Sequence, residues 1–83
     1  MSNRGKFFER LMSGTSDRAV DFGQLCELLR WLGFTERVRG SHHVFTMAGV
    51  EELIDLQPEG RHGKTYQVRQ VRDILKAHSM EVE

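Results

Sequence analysis

At 83 residues the chain has room for one modest core and for no deep cofactor cleft, since so small a domain buries only about 60% of the surface it exposes when unfolded. Twelve Lys and Arg balance twelve Asp and Glu, which excludes a general polyanion binder of high net charge. The single cysteine, Cys26, excludes an internal disulfide and fits a reducing compartment,.

Met1 to Lys6 carries no apolar run long enough for a signal peptide, and no segment approaches membrane-spanning length, so a cytoplasmic location without a membrane partner is expected. One domain is expected over 1–83: an N-terminal extension at 1–20, a core at 21–78 and a frayed tail at 79–83. Within the extension, Phe7, Phe8, Leu11 and Met12 fall at helical spacing, and Gly14 supplies a stop,. A helix this short is unstable alone and is expected to dock on the rest. Thr15 to Ala19 reads as a polar connector.

The next helix is the best marked. Asp21 is an N-cap with Gln24 in capping-box position,. Phe22, Leu25, Cys26, Leu29 and Leu32 form a core stripe that Leu28 and Trp31 widen, and Gly33 ends it,. Cys26 lies in that stripe and reads as a structural thiol.

Three short strands follow. Thr35 to Arg39 leads into Gly40-Ser41, a tight turn or bulge,. His43, Phe45 and Met47 then alternate with His42, Val44 and Thr46, which is strand periodicity,. Ala48-Gly49 turns the chain into a third strand carrying Leu53, Ile54 and Leu56, and Pro58 ends it. Glu59 to Lys64 is a loop by composition. A last helix starts near Thr65 as N-cap, buries Val68, Val71, Ile74 and Leu75, and turns Arg69, Gln70, Arg72, Asp73 and Lys76 to solvent,. Strands grouped between helices predict an α+β sandwich, with the helices on one face of a three-stranded antiparallel sheet.

Charge is uneven along this order. Val50 to Glu59 holds four acids and no base, whereas Arg61 to Lys76 holds five bases and one acid. The basic segment points to a phosphate-bearing partner.

Four histidines, His42, His43, His62 and His78, are the chemically capable groups. His42 and His43 are adjacent, so on a strand they face opposite ways and do not chelate one ion together. No zinc spacing occurs, and no metal or other cofactor is expected. Ser41 beside His42 is not a triad, and no nucleophile elbow or phosphate loop is present. What remains is a strand-edge histidine flanked by Ser41, Arg37 and Arg39, facing a loop with Arg61, His62 and Lys64. An imidazole titrates near neutral pH, cations hold phosphate, and RNA supplies its own 2′-hydroxyl nucleophile, so the set suits metal-free phosphodiester cleavage. Arg69 and Arg72 of the last helix would grip backbone phosphates. The same residues are compatible with a half-exposed histidine pair of no function. Tyr66 is the one platform for base stacking, or else packs at the helix start; Trp31 and Phe34 read as core.

The arrangement resembles the HicA family: a helix ending Leu32-Gly33-Phe34, a short strand, Gly40-Ser41-His42-His43 with Val44-Phe45, and a last helix ending Asp73-Ile74-Leu75-Lys76. The match spans roughly Phe22 to His78. The resemblance implies a double-stranded-RNA-binding-like fold of order α-β-β-β-α. It implies a toxin that cleaves mRNA (an mRNA interferase, or endoribonuclease) and is neutralised by a HicB-type antitoxin. The family's catalytic histidine follows Gly-Ser and corresponds to His42, or in some members stands one residue later, at His43. Many members also have a Pro-x-His after the third strand, whereas here Glu59, Gly60 and Arg61 separate Pro58 from His62. Two other classes fit the residues: a non-catalytic RNA-binding module of the same fold, and an interaction protein whose basic helix meets an acidic partner.

Overall fold

The structure, a computed structural model, describes residues 3–82. In chain order it has α1 (Asn3–Ser13), a 3₁₀ turn (Asp17–Ala19), α2 (Phe22–Leu32), β1 (Thr35–Arg39), β2 (His42–Met47) and β3 (Val50–Leu56). The two-residue strands β4 (Pro58–Glu59) and β5 (His62–Gly63) follow, and then α3 (Thr65–Ala77). The fold is α+β: three helices and an antiparallel sheet ordered β1-β2-β3, with β4 and β5 as a separate small ladder. No helix among the described residues is long and apolar enough to cross a membrane.

The caps of α2 act as the residue types dictate. The Asp21 carboxylate accepts a hydrogen bond from the Gln24 backbone N–H at 2.9 Å, satisfying one of the orphan donors of the first turn. Gly33 closes the helix at φ +108°, a left-handed conformation that a side chain would strain,. Between the caps Leu25, Cys26, Leu28 and Leu29 are buried.

Register then decides which strand residues meet them. Phe45 of β2 pairs with Glu36 of β1 and Ile54 of β3, while His43 pairs with Val38 and Leu56. Directly opposed residues share a face of the sheet. Phe45, Ile54 and Leu56 are therefore on one face, where they are buried in a single cluster with the α2 leucines and with Val68, Val71 and Leu75 of α3. The other face stays open to solvent and displays Arg37, Arg39 and His42. The α1 helix packs against α2 and α3, with Leu11 in the core and Phe7, Phe8 and Met12 at its margin.

Several expectations are corrected. Trp31 is not core: it is 44% exposed, with the Arg4 guanidinium 4.6 Å from the ring centroid, so a cation covers one ring face instead of hydrocarbon. The segment Glu59 to Lys64 is not an open loop. Pro58 pairs with Gly63 and Glu59 with His62, and the ladder is stitched to the chain at the start of α2 by Gly63 N–H to Val20 O at 3.0 Å and Phe22 N–H to Arg61 O at 2.9 Å. Composition missed it because a two-residue strand has no periodicity to read. The N-cap of α3 is Lys64, one residue before Thr65, and it makes no side-chain cap bond. The tail does not fray through residue 82: Met80 N–H donates to Leu75 O at 2.9 Å, and Met80 and Val82 pack against the core. The outermost parts of the extension and tail, residues 1, 2 and 83, lie outside the described residues.

Arg72 is the largest departure. Expected in solvent, it donates to both Asp17 carboxylate oxygens at 2.7 and 3.0 Å and to Leu11 O at 3.2 Å. Only 14% of its side chain and 12% of Asp17's remain exposed. The fork geometry of a guanidinium explains the choice, because one side chain can tie α1, the 3₁₀ turn and α3 together. The Arg72 hydrogen bonds hold the Asp17 carboxyl below its usual range despite its burial,. A carboxyl lowered in the folded state contributes stability above the unfolded value, about 3.9, and loses it as pH falls through the folded value. Asp17→Asn is thus expected to cost on the order of 2 kcal/mol at neutral pH and to flatten the acid side of the stability profile. Urea midpoints at neutral and acid pH measure both, and an acid limb as steep as the parent's would refute the assignment.

Candidate active site

Gly40 and Ser41 are the two-residue connection between β1 and β2, closed by the Arg39–His42 pair. Gly40 has φ +58° and Ser41 is not left-handed. A positive φ at the first loop position alone is what a type II′ hairpin demands, and its twist matches that of the strands. The Gly-Ser pair therefore has a conformational reason of its own. It makes His42 the first residue of β2 on the open face, and it turns His43 toward α2.

His42 is the solvent-facing member, with 49% of its side chain exposed. Both carboxylate oxygens of Asp55 lie 3.1 Å from its Nδ1. Its Nε2 is 3.2 Å from Gln57 Nε2, and Lys64 Nζ donates to Gln57 Oε1 at 3.2 Å. The roles of these atoms follow by elimination. An ammonium only donates, so the Gln57 oxygen faces Lys64 and the amide NH₂ faces His42. The NH₂ also only donates, so Nε2 accepts, and the ring proton sits on Nδ1 and is given to Asp55. The result is an imidazole whose Nδ1 is oriented by a carboxylate and whose Nε2 lone pair accepts from Gln57, so a substrate hydroxyl that displaces the amide meets a general base,. The group is anchored to α3. Gln57 N–H donates to Oε1 of the buried Gln67 at 2.9 Å, and Gln67 Nε2 donates to the Tyr66 hydroxyl at 3.2 Å.

His43 occupies a different environment. Its Nδ1 donates to Glu36 Oε2 at 2.9 Å, and Glu36 Oε1 accepts from Arg30 Nε at 2.9 Å. The Phe22 ring meets the His43 ring edge-on at 4.9 Å. Burial pushes the Glu36 carboxyl up, but the bonds from His43 and Arg30 outweigh it and leave the group below its usual range. Cys26 lies behind this pair, buried, and burial pushes its thiol up to about 11. A thiol held protonated at neutral pH is no nucleophile, in line with its place in the core stripe. The donor atoms of Cys26, Glu36 and His43 all lie within 4.8 Å of one another.

The expected phosphate-binding residues divide into two sets. Arg39 is the cross-strand partner of His42, Arg37 stands two residues along the same face, Ser41 adjoins it in the turn, and Lys64 reaches it through Gln57. Arg61 is exposed at the turn between β4 and β5. By contrast, Asp17 draws Arg72 and Arg69 to itself, the latter at 3.5 Å. Arg72 is largely buried there in three hydrogen bonds, and Arg69 keeps a largely exposed side chain beside the same carboxylate. Tyr66 is 63% exposed, so it does not pack at the start of α3. His62 is in β5, bridged through its backbone to Asp21.

Asp55 and Gln57 were invisible as partners in the sequence, where they appear only as polar residues at the end of a strand. The signal was register. A plain two-residue turn at Ala48-Gly49 would set Asp55 opposite His42, and the irregularity between Phe45 and Met47 slides the pairing by two so that His43 meets Leu56. Either register leaves an acid or an amide against the histidine.

No protein-family model, no curated protein and no solved structure matches the chain.

Proposed function

We propose that this chain is a HicA-type toxin of double-stranded-RNA-binding-like fold, an endoribonuclease that cleaves mRNA in the cytoplasm with His42 as general base. The observation that carries the reading is the exposed His42 imidazole, with Asp55 at Nδ1, Gln57 at Nε2 and cations on either side. Nε2 takes the proton of a ribose 2′-hydroxyl as that oxygen attacks the adjacent phosphorus. The bond from phosphorus to the 5′-oxygen breaks, the leaving oxygen takes a proton from water, and the products end in a 2′,3′-cyclic phosphate and a 5′-hydroxyl. Lys64, Arg39 and Arg37 steady the phosphorane charge, and Asp55 stabilises the imidazolium that forms. The nucleophile belongs to the substrate and the cations to the protein, so the route needs no metal. Among the sequence-derived residues, Arg61 and Arg69 extend the cationic surface for flanking phosphates, while Arg72 is withdrawn from it by Asp17. A HicB-type antitoxin would silence the chain by covering the open, basic sheet face.

Labelled RNA incubated with the purified chain in EDTA is expected to yield fragments with cyclic phosphate ends, and an all-DNA strand of the same sequence is expected to stay whole. Intact but gel-shifted RNA would instead support a non-catalytic binding module of the same fold. RNA neither cut nor shifted would refute an RNA function altogether, and metal-free cutting of DNA would refute the 2′-hydroxyl route.

A further inference from the structure

The cluster behind β2 takes no part in the chemistry proposed for His42, yet it gathers three different donor types from three rigid elements. Cys26 projects inward from α2 and is 2% exposed, whereas Glu36 on β1 and His43 on β2 keep 17% and 24% of their side chains in contact with solvent. A thiol sulfur, a carboxylate oxygen and an imidazole nitrogen converge within 4.8 Å. Glu36 divides its oxygens: Oε1 is held by Arg30 and Oε2 faces His43, each at 2.9 Å. Oε1 is therefore fixed by an outer partner, while Oε2 lies inside the cluster, where it accepts from His43 Nδ1.

We propose that Cys26, Glu36 and His43 form a binding site for a zinc-class divalent cation, with water completing a tetrahedron. Sulfur, imidazole nitrogen and carboxylate oxygen are the donors zinc takes, at roughly 2.0–2.3 Å. Such bonds place the donors of a tetrahedron about 3.3–3.8 Å apart, so even a pair at the 4.8 Å limit closes with a displacement of about 1.0–1.5 Å,. The convergence is already imposed by the α2–sheet packing, which removes most of the ordering cost of assembling a site. Oxygen-seeking calcium and magnesium are disfavoured by the thiol and by the low donor count. Binding replaces the thiol proton, which leaves to solvent as the sulfur–metal bond forms. His43 presents one nitrogen while the other keeps the ring proton; where Nδ1 is the ligand, its proton passes through solvent to Nε2 and its hydrogen bond to Glu36 Oε2 is given up to the metal. Arg30 on Oε1 then plays the outer-sphere role of orienting the liganding carboxylate. The competing account is that Cys26 is a small apolar filler beside an ordinary Arg30–Glu36–His43 ion-pair chain.

Cobalt(II) separates the two, because a thiolate bound to it gives a charge-transfer band in the near ultraviolet and a tetrahedral site gives strong visible bands. Titration of the reduced, EDTA-stripped and desalted full chain is expected to show both bands saturating at one cobalt per chain, and zinc is expected to bleach them. Cys26→Ala should lose the charge-transfer band. Glu36→Gln, which keeps the thiol and the side-chain volume, should weaken cobalt binding by at least about tenfold. Circular dichroism of each variant guards against loss of fold, and the cobalt spectrum is read without RNA, so the result is independent of the ribonuclease assignment. Absence of a charge-transfer band in the parent, or binding unchanged in the folded Glu36→Gln chain, would overturn the site.

Discussion

His42→Ala is expected to lower RNA cleavage by roughly 10²- to 10⁴-fold, the usual cost of removing a general acid-base group, with the melting temperature nearly unchanged. The side chain is half exposed and sits on the open face of the sheet, where truncation costs within about 0.5 kcal/mol. The neighbouring substitution should behave in the opposite way. His43→Ala takes a partner from the Glu36 carboxylate and an edge-on ring from Phe22, so its effect should fall on stability and leave cleavage largely in place. Asp55→Asn should fall between parent and His42→Ala in rate, because the ring would keep a hydrogen-bond partner on Nδ1 but lose the charge that stabilises it once protonated. Rates on a defined RNA, together with thermal melts of all three variants, decide the matter. A folded His42→Ala chain that cuts RNA at the parental rate would sink the assignment, as would cleavage lost in a folded His43→Ala chain alone.

Phe45→Ala is expected to cost about 3–5 kcal/mol, the range for emptying a large aromatic from a core. Phe45 is fully buried in the middle strand, at the centre of the cluster that joins the sheet to α2 and α3. A domain of 83 residues has a total stability of about 4–12 kcal/mol. The single truncation therefore removes a large fraction of it, and a partly unfolded population at 37 °C is the expected result. Phe45→Leu leaves a smaller cavity and should keep the fold. Urea midpoints of the two variants measure the contrast. A loss below about 1 kcal/mol for Phe45→Ala would mean the sheet does not pack through this residue.

Much of the architecture was legible beforehand because it is written in local rules. The α2 helix announces both ends: Asp21 caps its first turn through Gln24 and Gly33 closes it at positive φ. The β1 and β2 strands fall where Gly40-Ser41 requires a two-residue hairpin, and that turn alone places His42 and His43 on opposite faces. The apolar residues that spacing marked in α3, Val68, Val71, Ile74 and Leu75, are buried, and Gln67, which it did not mark, is buried with them. What escaped was non-local. Arg72 looked like a solvent residue on the polar side of a helix, and only the approach of the 3₁₀ turn gives it Asp17, 55 positions away in sequence. Trp31 looked like core, but its neighbour is the cation of Arg4. The β4–β5 ladder has too few residues to carry a period.

The same division runs through the site. Local chemistry by itself determined that an imidazole would stand at the mouth of the Gly40-Ser41 bend near Arg37 and Arg39, because turn residues and strand alternation are properties of a few consecutive positions. Tertiary structure alone decided that Asp55 and Gln57 flank that ring, that Lys64 orients Gln57, and that Cys26 and Glu36 gather behind His43. Those pairings depend on a two-residue slip between β2 and β3 and on the seating of α2 and α3 over the sheet. Register and packing are settled by the whole core at once, and no short stretch of chain encodes them.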